Sequence, residues 1–216
     1  MTWITSDPIH ELKVPNATCV VKVGDGRGFV FKHVGKRVII TAAHCLPRRP
    51  RAIAVDDIRR RTYRVLGDLH GEARVAAECL FVNPIADIAV LGSPAQEFYK
   101  QARAYDSFVE DRPALRIGQA TNGDGWVLSL DGKWIATRLE VSPGFRRSFL
   151  EIDATVAGQS GSPILNSTGR AVGVVVIGCE TIDRKTGTKT NDRADFQVIL
   201  TDSLPGWLLR KDRKSH

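Results

Sequence analysis

What most constrains this chain is the length of its apolar runs. They are short, rich in β-branched residues and cut every few positions by glycine or charge: TCVVKV, GFVFK, RVIIT, AECLFV, IAVLG, ALRIG, GWVLSL, KWIATRLEV, SFLEIDA, AVGVVVIG and FQVIL. Short runs bounded by turn residues, repeated along the whole chain, are the pattern of an all-β barrel or sandwich. Helical periodicity is scarce. Pro94 to Tyr105 (PAQEFYKQARAY) carries the spacing of a short helix. Asp202 to Lys214 (DSLPGWLLRKDRK) reads as an amphipathic terminal helix, with Trp207, Leu208 and Leu209 toward the body. The apolar pattern is weakest over Tyr105 to Pro113, so the expected organisation is one domain in two β-halves, 15–108 and 109–201, followed by a helix and basic tail over 202–216.

With 216 residues, 43% of them hydrophobic and 25% charged, the composition is that of a globular protein able to bury a sizeable core. No stretch approaches the run of about 20 apolar residues that spans a bilayer. The N-terminal sequence MTWITSDPIHELKVPNATCV lacks the basic start, continuous apolar segment and small-residue cleavage site of a signal peptide, so the expected compartment is the cytoplasm. Cys19, Cys45, Cys79 and Cys179 stand singly, without the spacing of a zinc site or the density of a disulfide framework. GDGRG, Gly24 to Gly28, lies between strands and opens no helix, so it is no phosphate loop. Neither a metal nor an organic cofactor is expected.

The net charge of +7 invites a nucleic-acid reading. The cations concentrate in PRRPRAIAVDDIRRRTYR, Pro47 to Arg64, and in RKDRK near the C-terminus. A solvated loop and a frayed helix have the same composition, and no helix-turn-helix, zinc-finger or aromatic RNA-binding signature accompanies them. A basic surface also steers acidic substrates or partners.

Three short motifs carry chemistry. In AGQSGSP, Ala157 to Pro163, Ser160 sits among residues that punctuate turns, and by itself it is either a nucleophile or a polar loop residue. In RVIITAAHCL, His44 follows an apolar strand; a histidine there is also an ordinary surface or core residue. In NPIADIAVLGSP, Asp87 is a lone carboxylate inside an apolar strand, and also reads as a turn residue. A buried carboxylate is rarely left unpaired, because the uncompensated charge costs several kcal/mol. An imidazole N–H would serve as its donor.

The motifs TAAHC, DIAVL and GQSGSP occur in the order His, Asp, Ser, which differs from the order in subtilisin-like and α/β-hydrolase enzymes. Over roughly Val20 to Leu209 the chain resembles the trypsin-like, chymotrypsin-fold serine peptidases, closer in texture to the bacterial heat-shock (HtrA-like) group than to digestive enzymes. GRGFVFKHVGKRVIITAAHCL resembles the family's hairpin into its histidine, and IDATVAGQSGSPILNSTGRAVGVVVIG its nucleophile loop and following strand. The resemblance implies two six-stranded antiparallel β-barrels with a cleft between them. It also implies a nucleophile Ser160, a general base His44, an orienting Asp87, and an oxyanion hole from the N–H groups of Gly158 and Ser160.

Departures from the digestive pattern carry further expectations. Gln159 stands where zymogen-activated relatives have an aspartate, and no new N-terminus is in sight before the first barrel, so activation by N-terminal cleavage is not expected. The usual disulfide partner of Cys45, expected near Phe29 to Lys32, is absent, which implies a free thiol. Alignment to the nucleophile places the pocket floor at Ala154 and its entrance at Thr155 and Ala157, with Val176, Ile177 and Gly178 pairing with substrate backbone. A floor without a carboxylate implies a small or medium apolar residue before the scissile bond, although Asp153, Glu180 or Asp183 would change this by entering the pocket. Three classes follow: an intracellular endopeptidase acting on protein or peptide substrates and gated by a partner or effector; a latent peptidase-fold binding protein; and a nucleic-acid-associated protein using the basic patch. The first accounts for the motifs best.

Overall fold

The structure is a computed structural model that describes residues 15–47, 61–95, 98–141, 148–151, 158–176, 181–182, 189–190 and 198–209. The first half closes on itself. Strands β1 (Val20–Val23), β2 (Gly26–His33), β3 (Lys36–Ala42), β4 (Thr62–Gly67), β5 (Val75–Asn83) and β6 (Ile88–Gly92) form a barrel in the order β1-β2-β3-β6-β5-β4, sealed by the pairing of Val23 with Leu66. Closure leaves no unpaired edge.

Turns set the register. Gly24–Asp25 joins β1 to β2, and Val34–Gly35 joins β2 to β3 with His33 opposite Lys36. Val34 and Gly35 both have positive φ, 44° and 75°, as a type I′ hairpin requires. Between β5 and β6 the Asn83 side chain accepts from the amides of Ile85 and Ala86, closing the loop that ends at Asp87.

The second half holds β7 (Gly123–Leu128), β8 (Trp134–Val141), β9 (Ser148–Glu151), β10 (Pro163–Asn166), β11 (Ala171–Val174) and β14 (Val198–Ile199), in the order β14-β11-β10-β7-β8-β9. It has the six strands expected of a second barrel, but its closure is not seen among the described residues. A separate ribbon pairs β12 (Thr181–Ile182) with β13 (Lys189–Thr190). Neighbouring residues in a strand face opposite sides of a sheet, and at β7 and β10 residues on both sides are buried. Leu128 and Leu165 join the core of the barrel, whereas Val127 and Ile164 pack with Leu139, Val172 and Val175.

Two expectations need correction here. The helix expected over Pro94 to Tyr105 runs instead from Tyr99 to Glu110 (α1), through the stretch that looked weakest. Tyr105 and Val109 lie four residues apart on its buried face with Phe108 packed beside them, and the Tyr105 hydroxyl reaches the carbonyls of Arg37 (3.1 Å) and Leu91 (3.2 Å). The expected division at 108/109 therefore falls inside a helix. ALRIG forms no strand of its own; Leu115 bridges to Phe31 in the barrel and Ile117 to Ala171 in the second sheet.

Two more expectations changed. Within the segment expected as a solvated loop, Thr62 to Arg64 belong to β4, because Tyr63 and Val65 supply the barrel interior; residues 48–60 lie outside the described set. In the described part of the expected terminal helix there are two short turns, α2 (Leu200–Ser203) and α3 (Gly206–Leu209), interrupted at Pro205, which has no N–H to continue a helix; residues 210–214 lie outside the described set. Leu208 is buried and Leu209 half-buried, but Trp207 is exposed and meets His33 edge-on.

Candidate active site

His44 leaves the barrel at the end of β3, on a single 3₁₀ turn formed by Ala43–Cys45. Asp87 sits across from it in the loop before β6, one residue short of the strand in which the sequence placed it. Its φ of +56° is left-handed, a region that aspartate tolerates better than most residues. Three bonds fix the pair. The Asp87 carbonyl accepts from Ala43 N–H at 2.9 Å, Oδ1 accepts from His44 N–H at 3.0 Å, and Oδ2 lies 2.5 Å from His44 Nδ1.

This places the Nδ1 proton on the Asp87 side. The hydrogen bond to Asp87 is the main reason the imidazole pKa rises from 6.5 to about 9; the Cys45 side chain adds to the rise and burial opposes it. At the other ring nitrogen, Nε2 is buried and has no hydrogen-bond partner among the described residues. A bond between the Ser160 hydroxyl and Nε2 is therefore not made in this structure.

Ser160 occupies a tight turn in which the Ser162 N–H meets the Gln159 carbonyl at 2.9 Å. Gly161, third in that turn, has φ +83°, the value a type II turn demands there and one that glycine adopts without strain. Gly158 precedes the turn with φ +97°. The turn is anchored just past the end of β11, through Gly161 N–H to the Val175 carbonyl (2.7 Å) and Val175 N–H to the Ser162 carbonyl (2.9 Å).

The barrel holds the same turn from the other side, through a residue that sequence reasoning missed. Arg27 at the start of β2 is only 4% exposed. Its backbone N–H donates to the Ser160 carbonyl at 2.7 Å, and its own carbonyl accepts from Thr41 Oγ1 at 2.6 Å. The guanidinium reaches into the second half and donates to the carbonyls of Leu128 (3.1 Å), Ser129 (2.8 Å) and Leu130 (3.0 Å). Burial lowers its pKa, and the charge of Asp131 partly offsets this. Gln159, also buried, shares the Leu128 carbonyl through Nε2 at 3.4 Å. The available signal was GRG itself, a cation just ahead of the apolar run FVF.

The joint leaves room for no side chain at two glycines. A Cβ on Gly161 would lie 1.8 Å from the Arg27 carbonyl oxygen. One on Gly26 would lie 2.5 Å from Cys45 Sγ and 2.6 Å from the Ser160 carbonyl oxygen. Cys45 is a buried free thiol whose Sγ lies 3.5 Å from that same oxygen. The backbone position facing it is therefore Gly26, not the Phe29 to Lys32 stretch in which a disulfide partner was sought.

The structure thus joins His44 to Asp87 by side chains, and Ser160 to the neighbourhood of His44 through Cys45 and Arg27. Ala154, Thr155, Ala157, Ile177 and Gly178 lie outside the described residues, as do Asp153, Glu180 and Asp183. Val176 is described: it follows β11 and its side chain packs into the main core. Among the described residues no cluster of His, Cys, Asp and Glu could hold a metal.

Residues 26–174 match the family model of the trypsin-like peptidase domain, and the chain belongs to that family of serine endopeptidases. Among solved structures, the fold is similar to that of the serine protease of a human pathogenic astrovirus, at a TM-score of 0.56 and 16% identity over 92% of this chain and 100% of that one. It is also similar to the serine endoprotease of Yersinia pestis, at a TM-score of 0.50 and 19% identity over 86% of this chain and 60% of that one. At these identities the likeness is one of fold. A sequence comparison with curated proteins finds no match.

Proposed function

We propose that this chain hydrolyses peptide bonds with Ser160 as nucleophile, His44 as general base and acid, and Asp87 as its orienting carboxylate. The observation that carries the reading is the pair of contacts from Asp87 to His44, at Nδ1 (2.5 Å) and at the backbone N–H (3.0 Å). They fix the tautomer that leaves Nε2 to take the Ser160 proton during attack and return it to the leaving amine. Asp87 then stabilises the imidazolium. The N–H groups of Gly158 and Ser160 receive the oxyanion, each worth roughly 3 kcal/mol in the transition state. The acyl half of the substrate lies against the second half of the chain, around Ala154, Thr155 and Ala157 and along Val176, Ile177 and Gly178.

Activity is gated: a partner or effector completes the site. The unpartnered Nε2 supports this, since the resting site is one hydrogen bond short of an assembled nucleophile. The buried free thiols of Cys19, Cys45 and Cys79 support a reducing, cytoplasmic setting.

The test is labelling of the purified chain with a fluorophosphonate, with Ser160→Ala and His44→Ala alongside and mass spectrometry of the modified peptide. Labelling at Ser160 that both variants lose is the expected result for a site that assembles unaided. Labelling that appears only once a partner is added is the gated outcome. The same missing bond favours a second reading, a latent peptidase-fold binding protein, which predicts a folded chain that is never labelled.

A further inference from the structure

Beside His44 the first barrel carries a recess of about 310 Å³. His44, Cys45, Leu46 and Pro47 line it together with Lys22 and Arg64, and every described residue that lines it belongs to the first half of the chain. A β-bulge explains how the two cations come together. The register of β4 against β5 shifts between Arg64 and Leu66, so Val65 and Leu66 are both buried while Arg64 turns outward. Gly24 N–H bonds to the Val65 carbonyl at 3.0 Å, which holds the β1–β2 turn against the bulge and brings Lys22 and Arg64 to one rim. Neither cation has an ion-pair partner among the described residues. One carboxylate, the exposed Asp25, also lines the recess.

The position of the recess gives it a role. In the proposed mechanism His44 returns its proton to the leaving amine, so the amine nitrogen rests against the imidazole and the following residues run away from Ser160 past His44. The acyl half is held by the second half of the chain, and the recess belongs wholly to the first. We propose that this recess is a binding subsite for the leaving-group side of the substrate and that Lys22 and Arg64 select an acidic side chain there. The inference rests on the reading of His44 as the proton donor to the leaving group. It also gives a use to Arg64, the last residue of the basic stretch that begins at Pro47.

Binding by the catalytically silenced full chain keeps this test separate from that of catalysis. Ser160→Ala would be titrated with two fluorescent peptides that differ only after the intended scissile bond, where one carries Glu and the other Lys. The acidic peptide should bind roughly fivefold tighter, as expected from two exposed charge pairs. Adding Lys22→Glu and Arg64→Glu together should invert the order, and Asp25→Asn should widen it. Moving the Glu to the acyl side should abolish the effect of the double reversal.

Equal binding of the two peptides, or a preference that survives the double reversal, would overturn the subsite. Fluorophosphonate labelling carries no peptide leaving group, so it should be the same in the chain with and without the Lys22 and Arg64 reversals. A chain without these reversals that is never labelled, with or without an added partner, would instead overturn the catalytic reading.

Discussion

The backbone N–H of Arg27 and the carbonyl oxygen of Ser160 meet at 2.7 Å, so the strand that opens the barrel directly fixes the residue proposed as nucleophile. The same arginine spends its side chain on three carbonyls of the turn beneath Gly158 and Gln159. One residue thus ties the two halves together at the point where the site lies.

Removing that side chain should be felt in both stability and chemistry. Arg27→Met keeps most of the volume but leaves three carbonyls of the second half without their donor, and should cost about 2–4 kcal/mol in urea unfolding. Labelling of Ser160 should slow by more than the unfolded fraction explains. Arg27→Lys, with one ammonium in place of a fork, should fall between the two. A urea midpoint equal to that of the unmodified chain would show that the guanidinium does not hold the joint.

The two glycines around Ser160 separate strain from collision. At Gly158 a Cβ meets only Leu130 Cδ2 at 3.5 Å, so Gly158→Ala carries the positive φ alone, a cost of about 1–2 kcal/mol, and should still fold. At Gly161 the Cβ would strike the Arg27 carbonyl oxygen at 1.8 Å. Gly161→Ala should lose labelling entirely and unfold at markedly lower urea. Equal behaviour of the two variants would contradict the packing described.

Activity and stability should move in opposite directions with pH. The His44 pKa is raised from 6.5 to about 9, so the ion pair with Asp87 stabilises the fold fully below pH 6.5 and is lost as pH rises through about 9. The proposed general base is the neutral imidazole, so kcat/KM should rise with a midpoint near pH 9. Asp87→Asn, chosen because asparagine tolerates the left-handed backbone, should bring the midpoint back toward 6.5 and lower the plateau sharply. A midpoint that ignores the substitution would mean that another group controls the rate.

The hairpin tip offers a gain. Val34 is 59% exposed and holds φ +44°, a backbone region that β-branched residues avoid. Val34→Asn creates the Asn-Gly pair that type I′ turns favour, and should raise stability by about 1 kcal/mol and Tm by about 2–4 °C. Labelling at Ser160 should be unaffected. A calorimetric scan with no upward shift would remove the assignment of strain.

Much of the fold is legible in the sequence because strand signals are local. Every run in the barrel that alternates or stays apolar between turns became a strand, and the order His, Asp, Ser rested on motifs a few residues long. The sequence hid what depends on contacts across the chain. β4 was invisible because Arg61 and Arg64 flank Thr62 and Tyr63, and only the closed barrel shows which of them points inward. The helix over Asp106 to Glu110 was hidden by its polar residues, since the two side chains that anchor it, Tyr105 and Val109, are a sparse stripe without β3 to meet them. Arg27 read as part of a glycine turn, and its acceptors lie in a distant turn that no local pattern marks.

The bridges at Leu115 and Ile117 have a consequence for how copies of this chain can associate. Leu115 N–H bonds to the Val30 carbonyl at 2.8 Å and Ala171 N–H to the Arg116 carbonyl at 2.9 Å, so successive residues of the crossing segment bond to different halves. Such a crossing has no slack. Neither half can swing out to be exchanged with that of another molecule without first breaking these bonds, so two copies would have to meet through surfaces they already expose.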